Sequence, residues 1–182
     1  MGASVASVAF ISVIGARTVN YGELSRGSFH ALLNRVEMAG LLSGLDAHET
    51  NLVLAKYRDD EAAERALRAH VRLYAVGLAL EEQWKITKGR PIVCNMGALA
   101  VFEVISPGCC RRCNGTGMVF NHACNTCNSS GYKPASGRAK AKFVGVDEKQ
   151  WRQVWNQRYE RIYRYLLDME ASTETKLAAI HA

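Results

Sequence analysis

The sequence predicts a mainly α-helical fold: a helical body, an inserted four-cysteine knuckle and a C-terminal helix-turn-helix. Three observations predict it. Apolar residues recur at helical spacing through much of the chain. Two C-x-x-C pairs, Cys110-Arg-Arg-Cys113 and Cys124-Asn-Thr-Cys127, lie close together among glycines. A basic stretch at 137–156 places small, glycine and apolar residues in the order that a tight helical pair needs. The chain of 182 residues is long enough to bury roughly two-thirds of its surface. It divides into an N-terminal helical body (1–107), a knuckle (108–132) and the basic helical pair with C-terminal helices (133–182), expected to form one compact unit.

In the body, residues 23–43 read as a helix, with Phe29, Leu32, Leu33, Val36 and Leu41 at mostly helical spacings and Gly40 and Gly44 at its end. Asp46-Ala-His-Glu49 is a capping-box pattern leading into Leu52, Val53 and Ala55. The chain breaks at Asp59-Asp60. A long helix then runs from about 60 to 84, with Leu67, Val71, Tyr74 and Leu78 on one stripe and Asp59, Asp60, Glu61 and Glu64 where a helix N-terminus favours negative charge. His70 lies in this helix and is expected to be satisfied or exposed rather than a metal ligand. Residues 85–91 read as a polar connector, 95–105 as a further helix, and Pro107-Gly108 as its stop.

Four cysteines at this spacing point to metal. A tetrahedral zinc ion takes four soft ligands converging on one point, and two C-x-x-C knuckles on a short hairpin supply them as thiolates. The expected ligands are Cys110, Cys113, Cys124 and Cys127, holding one structural zinc. Cys109 is the alternative to Cys110, although it would make the first pair C-x-x-x-C. A four-thiolate site is closed and leaves no position for a reacting water. No Ser/His/Asp set, carboxylate pair or phosphate loop accompanies it, so the sequence points away from an enzyme. Cys94, isolated in an apolar stretch, reads as a small buried hydrophobe.

Charge is unevenly placed. Residues 1–110 hold eleven Lys/Arg and eleven Asp/Glu, whereas 111–164 hold eleven Lys/Arg against Asp147, Glu148 and Glu160. A neutral body carrying a basic segment fits an anionic partner, and double-stranded DNA comes first. Residues 3–14 are apolar and lack the basic flank of a signal peptide. The cysteine pattern suits a reducing compartment, so a cytoplasmic protein with no membrane partner is expected.

In the basic segment Ala141 is the small contact residue, and Gly145 falls four positions later in the turn. Val144, Val146, Trp151 and Val154 are expected to lock the helices together, with Asp147 as N-cap of the second. The outward face of that second helix would carry Lys149, Gln150, Arg152, Gln153 and Asn156, residue types that contact base edges in the major groove. Arg138, Lys140 and Lys142 on the first helix would reach phosphates. Tyr159, Ile162, Tyr163 and Leu166 continue at helical spacing and read as core.

The order of these features resembles the lambdoid bacteriophage late-gene antitermination protein Q family. The shared features are C-R-R-C-N-G-T-G, a short arm, C-N-T-C ending at Gly131-Tyr132, Pro134-Ala135-Ser136, a short helix, a turn, and a Trp-bearing helix rich in Arg and Tyr, over roughly residues 108–170. The resemblance implies a factor that binds DNA at a late promoter and loads onto bacterial RNA polymerase that still holds sigma factor. It then stays with the enzyme near the nascent RNA and suppresses termination in the bacterial host. One departure is that Asn128-Ser129-Ser130-Gly131 lacks the first glycine of the C-x-x-C-x-G-x-G repeat, which predicts an altered loop and an unchanged ligand count. DnaJ-type chaperones use the same repeat in four copies beside a His-Pro-Asp domain; this chain has two copies and no His-Pro-Asp. Two alternatives therefore stand beside antitermination: an ordinary helix-turn-helix regulator with a structural zinc, and a DnaJ-like zinc chaperone module.

Overall fold

In the computed structural model, the structure describes residue 40 and residues 42–84, 90–110, 112–120 and 122–180. The expected helix at 23–43, except for its last residues, and the apolar stretch at 3–14 lie outside the described residues. The elements in order are α1 (Ala47–Arg58), α2 (Glu61–Glu81), α3 (Arg90–Ile105), β1 (Met118–Val119), β2 (His122–Ala123), α4 (Gly137–Val144), α5 (Glu148–Gln150), a π-helical turn (Trp151–Trp155) and α6 (Asn156–Ile180). The described chain is mainly helical, with a small hairpin between α3 and α4. It forms two compact units, residues up to 64 with 168 onward, and residues 65–167.

The first unit begins with the capping box that Asp46 and Glu49 spell. The Asp46 carboxylate accepts from the N–H groups of His48 (2.8 Å) and Glu49 (2.9 Å), and the Asp46 N–H donates back to Glu49 at 3.0 Å. Glu49 is itself buried and takes a 2.7 Å ion pair from Lys176 and a hydrogen bond from Ser172. Val53 and Leu177 form a small apolar cluster with Leu42, Leu45 and Tyr57 against it. The break at Asp59 is real: it ends α1 at φ 57°. Asp60 then caps α2, accepting from the N–H groups of Ala62 and Ala63.

The second unit holds most of the core. Along α2, Leu67, Val71, Ala75 and Ala79 are buried, while the expected stripe members Tyr74 and Leu78 are only half-buried. His70 is satisfied, as its Nε2 lies 2.7 Å from the Tyr165 hydroxyl. α3 packs against α2 at Gly97, where a Cβ would meet the Val71 carbonyl at 3.4 Å, an ordinary van der Waals distance. α3 starts earlier than the sequence suggested. Pro91 sits in its first turn rather than in a connector, a position where proline's missing N–H costs nothing. Cys94 is half-buried rather than fully enclosed.

Ser136 caps α4 by accepting from the Ala139 N–H, and Gly145 ends it at φ 87°. Asp147 caps the next helix, accepting from the Gln150 N–H at 2.8 Å. Ala141, Val144 and Trp151 are buried as the helical-pair pattern requires. Val154 is not part of the lock: it is 41% exposed, and Trp155 is buried in its place. The reason is the π-helical turn over Trp151–Trp155. A wider turn rotates position 154 outward and brings 155 over 151. Trp155 then covers one face of the Arg158 guanidinium at 4.8 Å and Trp84 another at 5.0 Å. The inner row continues through Tyr159, Ile162 and Leu166, all with no exposed surface.

Glu103 joins these elements. It lies buried on α3, and its carboxylate accepts from three places: the Ala135 N–H at 3.2 Å, the Lys140 ammonium at 2.7 Å and the Tyr159 hydroxyl. Lys140 also sits over the Tyr159 ring at 4.4 Å. Burial, and then the Glu103 carboxylate, push the Tyr159 phenol far above its ordinary pKa, so it remains a donor. Breaking a buried pair from one side strands the other charge. Glu103→Ala should therefore cost about 3–5 kcal/mol in urea unfolding. Glu103→Leu combined with Lys140→Met and Tyr159→Phe should recover most of that loss, because no charge or hydroxyl is then left stranded.

Candidate metal centre and basic face

The hairpin between α3 and α4 is built twice. In the first half the Cys110 N–H donates to the Gly131 carbonyl at 2.9 Å; in the second the Cys124 N–H donates to the Gly117 carbonyl at 2.9 Å. The Thr116 hydroxyl donates to the carbonyls of Cys113 (2.7 Å) and Met118 (2.9 Å). Fourteen positions on, the Ser130 hydroxyl does the same to Cys127 (2.6 Å) and Tyr132 (3.0 Å). β1 pairs with β2 through Met118–Ala123 and Val119–His122, and Cys109 bridges to Tyr132 at the base, where the Lys133 N–H donates to the Gly108 carbonyl at 2.7 Å. The hairpin thus has pseudo-two-fold symmetry about the cysteines.

That symmetry dictates two glycines. A Cβ at Gly117 would lie 2.3 Å from the Ser129 carbonyl, and one at Gly131 would lie 2.2 Å from the Gly115 carbonyl. No side chain fits either crossing. The expected change of loop at the missing glycine does not occur. Ser129 takes φ 65°, next to Asn128 at 50°, as Gly115 takes 84° next to Asn114 at 48°. The left-handed region is costly for a side chain but open to one.

Cys110, Cys113, Cys124 and Cys127 are all buried, and their sulfur atoms lie within 4.8 Å of one another. Cys110 and Cys124 are 4.0 Å apart, Cys113 and Cys127 3.7 Å. A tetrahedron of sulfurs around zinc at about 2.3 Å has edges of about 3.8 Å. Donor set, number and spacing therefore fit one metal ion such as zinc. Cys109 is exposed and stands outside the cluster. The surrounding backbone favours thiolate, the form a metal takes. The Cys113 N–H holds the Cys110 thiol below its ordinary value. Burial opposes ionisation at Cys124, but the N–H groups of Thr126 and Cys127 outweigh it and bring the thiol down to about 7. Burial pushes Cys127 up to about 11. The Gly117 N–H donates to the Cys113 sulfur at 3.3 Å.

The residues expected on the basic face divide. Arg138, Lys142, Lys149, Gln150, Arg152 and Gln153 are exposed, and Asn156 is half-buried. Arg152 and Gln153 follow Lys149 by about one helical turn, and all three are exposed. Arg152 makes a long 3.8 Å ion pair with Glu148, both side chains largely exposed. Lys140 is a correction. It is 8% exposed and held inward by Glu103, so it leaves the outer face. Glu103 itself was missed, although it is the lone charge in the run 92–105 and that isolation was a usable signal.

No family model, curated protein or solved structure matches this chain. Among the described residues, no helix is long and apolar enough to cross a membrane.

Two sets of variants test the centre. Cys113→Ser should abolish stoichiometric zinc in elemental analysis, and Cys109→Ser should leave it intact. Gly117→Ala and Gly131→Ala should disrupt the hairpin with all four cysteines present, whereas Ser129→Gly should be tolerated.

Proposed function

We propose that this protein is a bacteriophage transcription antitermination factor. It binds double-stranded DNA at a late promoter through α4 and the helix beginning at Glu148, used as a helix-turn-helix. It loads onto bacterial RNA polymerase with its sigma factor and suppresses termination. The four-cysteine knuckle carries one structural zinc. The observation that carries this reading is the occurrence, within one compact unit, of the buried four-cysteine knuckle and an exposed set of Lys149, Arg152 and Gln153 beside the half-buried Asn156. The same features occur in the order of the Q-family resemblance.

The chemistry of each part suits its role. Arg and Gln pair bidentately with guanine and adenine edges, while Arg138 and Lys142, both exposed, would meet phosphates. A closed thiolate site supplies rigidity rather than reactivity. Blocking an RNA hairpin is a steric task and needs a body that does not yield.

A single-round transcription assay with purified polymerase tests the proposal. The protein should raise read-through of a distant intrinsic terminator only on templates whose promoter carries its binding element. A protein that lowers initiation and leaves termination unchanged is an ordinary repressor, and that result would end the antitermination reading. In parallel, Arg152→Ala and Gln153→Ala should each cost about 1–3 kcal/mol at the bases they touch. Lys142→Ala should weaken binding to all sequences and lower the salt slope by about one. Equal discrimination by the Arg152 and Gln153 variants would remove this helix as the reader.

A further inference from the structure

The tip of the knuckle carries a side chain that nothing in the fold explains. Phe120 follows β1 and is 93% exposed. Its backbone sits at φ 49°, a region that bulky side chains rarely adopt. The ring therefore gives no core energy in return for an unfavourable backbone. Asn or Gly would meet the demands of the turn better. Strain kept at an exposed position points to use outside the molecule.

The charge of the hairpin as a whole favours one class of partner. Residues 108–133 contain no Asp or Glu; His122 beside the tip, Arg112 between the first two cysteines and Lys133 at the base are all exposed. Met118, on the strand leading to the tip, is 52% exposed. An isolated aromatic ring on a hairpin with basic and no acidic residues is the chemistry of a stacking contact with an unpaired base: the ring meets the base face, and the cations meet the phosphates. The hairpin is anchored at its base by the Cys109–Tyr132 bridge and closed at its centre by the four cysteines. The ring is thus offered on a fixed arm.

We infer that Phe120 stacks on a base of single-stranded nucleic acid, making the knuckle a second nucleic-acid contact separate from the helix that begins at Glu148. The inference rests on the proposed function only for the class of ligand.

The test uses the full metal-loaded chain and a labelled unstructured oligonucleotide of about 12 nucleotides, a length within the usual site size of stacking surfaces. RNA and DNA of the same sequence are run side by side to separate the two sources. Phe120→Ala should weaken binding by about tenfold or more, the loss expected for one stacked base. Phe120→Leu should lose as much, because it keeps apolar bulk and removes the ring. Phe120→Trp should bind, with indole fluorescence quenched beyond the wild-type change. Wild-type affinity in Phe120→Leu would identify an apolar pocket on a protein as the true occupant and overturn the inference. So would an unquenched Phe120→Trp, or no measurable binding to either strand. Arg152→Ala/Gln153→Ala should lose duplex discrimination and keep the ring-dependent single-strand contact. Failure of DNA reading and failure of this inference are thereby told apart.

Discussion

The Glu103 carboxylate is the constraint on which the second unit depends. One buried anion on α3 is matched by a cation from α4, a hydroxyl from α6 and a backbone N–H from the segment leaving the knuckle. Each partner lies at least 32 residues from Glu103 in the sequence, and each would be free to shift without it. A buried carboxylate tolerates few geometries, because every lost partner leaves charge uncompensated in a poorly polarisable interior. Apolar packing of Ala141, Val144 and Trp151 supplies affinity between the helices; the carboxylate fixes their register. The exposed Lys149, Arg152 and Gln153 inherit that register.

The knuckle solves a different problem. It has little core of its own: among the described residues, Val119 is the one partly buried hydrophobic residue packed against the four cysteines. Its order comes from crossed backbone hydrogen bonds and from sulfurs gathered at metal-ligand spacing. The two halves use the same devices: a hydroxyl, Thr116 or Ser130, tying two carbonyls, and a glycine, Gly117 or Gly131, where the halves cross. The C-x-x-C-x-G-x-G repeat is thus a description of geometry. Its last glycine is dictated by a close approach, and its first is replaceable, as Ser129 demonstrates.

Much of this was legible in the sequence because the signals are local. The capping box at Asp46 and Glu49, the break at Asp59-Asp60, the N-cap at Asp147 and each of the two C-x-x-C pairs depend on residues within a few positions of one another. What escaped was non-local or depended on helix type. The basic pattern of its own helix points Lys140 toward phosphates; Glu103, 37 residues earlier, turns it inward. α-Helical spacing puts Val154 in the core, and the π-helical turn shifts that place to Trp155. The start of α3 at Arg90 is hard to read because a Gly-Arg-Pro run suits a connector as well as a helical first turn.

Two independent devices hold this unit, the sulfur cluster ordering the hairpin and Glu103 ordering the basic helical pair. Hydrogen exchange, resolved along the chain, reports such local stabilities directly. Metal-loaded protein, chelator-stripped protein and metal-loaded Glu103→Ala protein are compared. Stripping the metal should abolish protection across 108–132 and leave 137–155 protected. Glu103→Ala should lower protection across 137–155 and leave the metal bound. If both treatments melt the same residues, or if stripping leaves the hairpin protected, the division of labour described here is wrong.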